Sequence, residues 1–175
     1  GNNNVYAQDN ELSWVDWDLD PGEQHLLNFT ARLIELRMEH PVFRRRRFFA
    51  GDADHGGQSD LGDIVWYAPI GVVMDEEAWR SHFARSIMVF LNGEAIAAPD
   101  RMGRPVVDDH FLLLFNAHHE SVDFTLPDGI DAAAWTVVVD TTGTEHSTAW
   151  ESGETYPVPP QSVVVLTATP QPELA

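Results

Sequence analysis

The sequence predicts a mainly β protein, an antiparallel β-sandwich that follows a polar opening segment and one long helix. Three observations carry this. Short β-branched or aromatic runs recur from residue 42 onward, separated by loops of Gly, Pro, Asn and Asp. A single stretch of helical period ends at Pro41, because proline disfavours helix at the residue before it. Residues 1–20 are irregular, rich in Asn and Asp, with Trp14 and Trp17 as apolar anchors.

The helix is expected to open at Glu23 and Gln24, after the punctuation of Pro21-Gly22, and to run to His40. At 100° per residue Leu26, Leu27, Phe29, Ala31, Leu33, Ile34, Leu36 and Met38 span an arc of about 220°. A surface helix needs about half that width, so this one is expected to be covered from two sides, with a polar partner for Arg37 inside the arc. The predicted strands are Ile64–Tyr67, Ser86–Leu91, Phe111–Phe115, Val122–Leu126, Trp135–Val139 and Ser162–Leu166. The unbroken runs Ile87–Leu91 and Phe111–Phe115 read as central strands. Phe111–Phe115 and Val122–Leu126, joined by Asn116 to Glu120, read as a hairpin.

Composition narrows the function. The chain has 175 residues, 43% apolar with six Trp, which is a folding sequence. No apolar run reaches the roughly 20 residues that span a bilayer, and Gly1-Asn-Asn-Asn is no secretory leader. The missing initiator Met is read as a start in mid-protein. With no Cys, thiol nucleophiles, disulfides and thiolate metal sites are excluded. A formal charge of −18 argues against nucleic acid or an anionic membrane as partner. All ten basic residues are Arg, read chiefly as the mark of a GC-rich genome and secondarily as salt adaptation.

The residues of chemical interest sit mostly in the opening. Asn2, Asn3, Asn4, Gln8, Asp9 and Asn10 offer planar amides and carboxylates for sugar hydroxyls, and Tyr6, Trp14 and Trp17 offer rings. The same Asn run is also what a turn requires, and the two Trp read first as packing anchors. Asp52, Asp54, Gly57 and Asp63 match positions one, three, six and twelve of a calcium loop. Position five is Gly56, there is no Glu at twelve and strands flank the segment, so a solvated turn is expected. Asp108-Asp109-His110 and His118-His119 read as structural or exposed, since adjacent strand residues face opposite ways. Arg44–Arg47 is expected to pair with local carboxylates. Neither a metal nor a cofactor is expected.

The opening string GNNNVYAQDNELSWVDW closely resembles a segment of bacterial glycogen debranching enzymes of the isoamylase type, within the α-amylase superfamily. The resemblance continues through LIELRMEHPVFRRRRFF, DIVWYAP, VFLNGEAI and DDHFLLLFNAHHESVDFTLP, five stretches in the family's order that cover nearly the whole chain. One departure is Ala7, where many members carry Cys. The resemblance implies that residues 1–40 are the final loop and helix of an eight-stranded (β/α)8 barrel, and 41–175 a C-terminal antiparallel β-sandwich packed on it. Polar loops after barrel strands build such active sites.

The implied activity is hydrolysis of α-1,6 branch linkages in glycogen or limit dextrin, in the cytoplasm, by a retaining mechanism. Contacts to the branched glucan are implied for Asn3, Asn4, Tyr6, Gln8 and Asp9. The family's nucleophilic Asp, general-acid Glu and third Asp lie on earlier barrel strands, so no catalytic residue maps onto this chain, and the barrel is its expected partner. Two other readings stand beside this one. One is a stand-alone carbohydrate-binding or structural sandwich, which calls for coplanar exposed aromatics on a strand face. The other is a relative acting on α-1,4 links.

Overall fold

A computed structural model describes residues 6–51, 61–81, 85–132, 134–144 and 146–168. The chain forms two compact units, Gly1–Glu39 and His40–Ala175.

The first unit is the opening loop and helix α1, Pro21–Glu39. The helix starts two residues before the sequence reading placed it. Pro21 suits the first helical position, where its missing N–H costs nothing. Asp20 and Glu23 close a reciprocal pair around that start: the Glu23 amide donates to Asp20 Oδ1 at 2.8 Å and the Asp20 amide donates to Glu23 Oε2 at 2.9 Å. Away from the apolar arc, Gln24 Nε2 donates to Asn28 Oδ1 at 3.0 Å. No residue of α1 is buried, and Leu26, Leu27, Leu33, Ile34 and Met38 all stand exposed. Within its own unit the apolar arc has no cover among the described residues, and Arg37 lies exposed there.

The second unit is a β-sandwich. Among the described residues it has eight strands, β1 Ile64–Tyr67, β2 Ser86–Leu91, β3 His110–Asn116, β4 Val122–Thr125, β5 Trp135–Asp140, β6 Ala149–Trp150, β7 Thr155–Val158 and β8 Ser162–Ala168, with a short helix α2 over Glu76–Arg80. A six-stranded antiparallel sheet runs in the order β1-β2-β3-β8-β5-β6, and β4 pairs with β7 in a second sheet. The core between them holds Met88, Phe90, Leu112, Leu114, Trp135, Val164 and Leu166 from the large sheet against Phe124, Tyr156 and Val158 from the small one.

The unbroken apolar runs now have a reason. In β2, β3 and β8 the alternate residues Val89, Leu91, Phe111 and Val165 are buried too, on the opposite face of the sheet. His40 and Phe43 pack on the Phe111 ring there, at 4.8 and 4.6 Å between centroids. The segment that carries them is held by Asp108, which accepts from the Val42 amide and meets His40 Nδ1, both at 2.8 Å.

The expected hairpin is wrong. β3 lies between β2 and β8 in the large sheet, and β4 belongs to the small one, so the link from Asn116 to Glu120 crosses between layers. Asn116 makes the corner. Its amide nitrogen donates to the carbonyls of Glu120, Val158 and Pro159 at 2.9, 3.1 and 2.9 Å, and its Oδ1 accepts from Ser86 Oγ and the His118 amide. A strand apolar on both faces needs a neighbour on each side in a central position, whereas the alternating β4 needs only one buried face. β7, missed from the sequence, contains Pro157, which a two-stranded sheet admits because each strand has a free edge.

One glycine is fixed by close approach. A Cβ on Gly93 would stand 2.1 Å from the Asp108 carbonyl oxygen and 2.3 Å from that of Asp109. Both obstacles are backbone, so they cannot swing away. Gly93→Ala is expected to destabilise the sandwich by about 1–3 kcal/mol, the range for overpacking, as read by urea unfolding. A midpoint equal to wild type would mean the strand ends part at no cost.

Candidate functional site

The opening loop is organised around Asn10. Its carbonyl accepts from the amides of Ser13 and Trp14 at 2.9 and 3.1 Å and from Ser13 Oγ at 2.9 Å. Its Oδ1 accepts from the Leu12 amide at 3.1 Å, and its Nδ2 donates to Gln8 Oε1 at 3.1 Å. Trp14 Nε1 donates to Asp9 Oδ1 at 2.8 Å. Ala7, just ahead, has φ +54°, a left-handed turn that a non-glycine residue seldom takes. Tyr6, Trp14 and Trp17 are 92%, 60% and 74% exposed, so neither tryptophan is a packing anchor among the described residues. Of the five residues implied as glucan contacts, Tyr6, Gln8 and Asp9 thus lie on one exposed loop, and Asn3 and Asn4 lie outside the described residues.

Arg45, Asp63 and Asp140 of the sandwich hold its own loops. Arg45, half-buried, pairs through Nη2 with Asp63 Oδ2 at 3.2 Å, donates from Nη1 to the Asp63 carbonyl at 3.3 Å, and donates to the carbonyl of Ala95. Its guanidinium also lies 4.5 Å from the centre of the Phe49 ring. Burial holds Arg45 below the ordinary arginine value, against the raising pull of Asp63. Asp63 accepts further from the Ala50 and Gly51 amides at 3.0–3.1 Å. The local pairing expected of the arginine cluster is therefore formed at Arg45. The residue at position twelve of the calcium-like spacing binds an arginine instead, while residues 52–60 of that spacing lie outside the described residues.

Asp140 is a second such node. It accepts from Thr142 N and Oγ1 at 2.8 and 2.7 Å and from His146 Nε2 at 2.8 Å. Burial alone would raise its pKa, yet the bonds from His146 and Thr142 outweigh that and leave it lowered. The neighbouring Tyr156 hydroxyl, 3.2 Å from His146 Nε2, is pushed up to about 12 by burial and by Asp140.

His118 and His119 sit on a bend beyond β3, outside any strand, so strand alternation does not separate them. Their rings stack at 4.2 Å and 29°. His118, His119 and Glu120 could gather three ligand atoms within 4.8 Å, as could His40, Asp108 and Asp109. The first group does not suit a metal as it stands, since His118 Nδ1 accepts from the Glu120 amide and the neutral ring then carries its hydrogen on Nε2. In the second, both Asp108 oxygens are engaged by His40 and Val42.

His110 is buried, and its Nδ1 accepts from the Gly93 amide at 3.1 Å. Burial holds its pKa below the ordinary value, against smaller opposing pulls from Asp109 and Asp131. The native state therefore takes up this proton less readily than the unfolded chain. Stability is expected to be level above about pH 6.5 and to fall below it, as the unfolded state gains protons first, until the native group titrates as well. His110→Asn keeps an acceptor for Gly93, and its urea midpoint is expected to fall less steeply between about pH 6.5 and 5.5. Equal slopes would remove His110 from the account.

Exposed aromatics on the sandwich include Trp66 on β1 and Trp79 on α2, whose rings meet at 5.6 Å but cross at 70°. That is a crossed pair and not the coplanar platform a stand-alone carbohydrate-binding module calls for.

By class this unit is an antiparallel β-sandwich whose part-buried carboxylates hold its own loops. Comparison with known proteins gives it a family: residues 63–166 match the family described as isoamylase, C-terminal, and the chain belongs to it. A glycogen operon protein GlgX homolog of Mycobacterium tuberculosis is 46% identical over 97% of this chain and 24% of its own length. The glycogen debranching enzyme of Escherichia fergusonii is 31% identical over 74% of the chain and 16% of its own length. A variant pullulanase from Paenibacillus barengoltzii, solved in complex with maltotriose, superposes with a TM-score of 0.53 at 26% identity, covering 92% of this chain and 19% of that one. The chain thus spans a quarter or less of the length of these relatives.

Proposed function

We propose that this chain is the C-terminal part of a cytoplasmic glycogen debranching enzyme that hydrolyses α-1,6-glucosidic branch linkages in glycogen and limit dextrin. The observation that carries the reading is 46% identity to a GlgX homolog along 97% of the chain. On this reading residues 1–40 are the last loop and helix of the catalytic barrel, and residues 41–175 the sandwich that buttresses it. The wide apolar arc of α1 supports this, because its own unit supplies no cover for it among the described residues.

The opening loop then lines one side of the cleft, with Tyr6, Gln8 and Asp9 against glucan hydroxyls and Asn3 and Asn4 beside them. A bond to a neutral sugar hydroxyl contributes about 0.5–1.5 kcal/mol. In the intact enzyme, Tyr6→Ala, Gln8→Ala and Asp9→Ala are each expected to lower kcat/KM on branched dextrin several-fold at unchanged thermal stability. If all three keep normal turnover and lose stability instead, the loop is structural.

A further inference from the structure

Gln8 and Asp9 each have one hydrogen-bonding half already occupied. Gln8 has its carbonyl oxygen engaged by Asn10 Nδ2 at 3.1 Å, which leaves its NH2 as the outward group. Asp9 has Oδ1 engaged by the Trp14 indole at 2.8 Å, which leaves Oδ2 as an acceptor. Among the described residues neither side chain has a further partner. Both anchors belong to one turn, since the Asn10 carbonyl accepts the Trp14 amide.

We propose that Asn10 and Trp14 are positioning residues that polarise this pair, so that Gln8 presents donors only and Asp9 a single acceptor oxygen toward the hydroxyls of one glucosyl unit. The inference rests on the loop contacting glucan, as read above. A free amide presents its oxygen or its nitrogen with little preference, because the two ends have nearly the same shape. The Asn10 tether removes that ambiguity, and the Trp14 bond fixes which carboxylate oxygen faces outward. A hydroxyl both donates and accepts, so a fixed donor beside a fixed acceptor selects an orientation of the ring.

Asn10→Asp separates positioning from folding. The new carboxylate can still accept the Leu12 amide, which preserves the turn, but it cannot donate to Gln8 Oε1. Gln8 is then expected to rotate its amide, turn its NH2 toward the carboxylate and present its carbonyl outward. Trp14→Phe keeps the ring and removes the indole donor. In the intact enzyme assayed on branched maltodextrin, each variant is expected to raise KM by about three- to tenfold, with kcat and melting temperature close to wild type. Gln8→Ala added to Asn10→Asp should raise KM no further than Asn10→Asp alone, because both act through one contact.

If Asn10→Asp and Trp14→Phe both show wild-type KM while Gln8→Ala and Asp9→Ala are impaired, the positioning role is overturned and the contact site stands. If all four show wild-type KM, the contact site falls, and this inference with it. A KM rise accompanied by an equal loss of melting temperature in both variants would assign the two residues to loop stability alone and likewise overturn the proposal.

Discussion

Expressed by itself, the 175-residue chain is expected to release no new reducing ends from glycogen. A retaining glycosidase needs two carboxyl groups about 5–5.5 Å apart across the scissile bond, one of them with a raised pKa to act as the acid. Among the described residues, the buried Asp63 and Asp140 and the half-buried Asp108 are committed otherwise. Asp63 is held by Arg45 and two backbone amides, Asp108 by His40 and Val42, and Asp140 by Thr142 and His146. Asp140 is shifted downward, the wrong direction for a general acid. The opening loop offers binding groups alone, and binding that favours substrate and transition state equally does not accelerate the chemical step. The check is a reducing-end assay on branched glucan. Sustained turnover that disappears when a carboxylate within residues 41–175 is replaced would overturn both this expectation and the reading of the sandwich as support.

Arg45→Met is expected to cost about 3–5 kcal/mol, the range for removing one member of a buried ion pair. The loss arises because the Asp63 carboxylate stays behind, buried, with only the Ala50 and Gly51 amides to satisfy it. Methionine fills most of the volume over Phe49, so lost packing is a minor part. The double variant Arg45→Met, Asp63→Leu removes the stranded charge and should recover part of the stability, since replacing both partners by apolar groups is often close to neutral. Urea unfolding of the two variants measures the difference. A single variant as stable as wild type would show that water reaches Asp63 and that the pair carries no structural role.

The legibility of the sequence differs between the two units. Helix α1 is readable because its period and the stop at Pro41 are local, whereas its start at Pro21 and the Asp20–Glu23 pair emerge only from the structure. The loop residues Tyr6, Gln8 and Asp9 were picked out by resemblance and residue type. The role of Asn10 is not singled out by the sequence reading, although Asn is a residue whose side chain accepts the amide two residues on, as it does here from Leu12. Trp14 reads from sequence as a packing anchor, and only the folded loop commits its indole to Asp9.

In the sandwich the sequence by itself determined that β2, β3 and β8 would be strands, and that β2 and β3 would be central. Uninterrupted apolar runs need cover on both faces, and that requirement is written residue by residue. Tertiary structure alone decided which strands pair. A strand's own pattern states which faces are buried but carries no label for the neighbour, so sequential β3 and β4 looked like a hairpin and instead entered different sheets, with Asn116 at the corner. β7 escaped notice because Pro157 argues against a strand until a free edge makes room for it. Arg45 was expected to pair locally, but its choice of Asp63 and of the Ala95 carbonyl depends on segments brought together by folding. The same is true of Gly93, whose neighbours at Asp108 and Asp109 are distant in sequence and become neighbours only when β2 and β3 align.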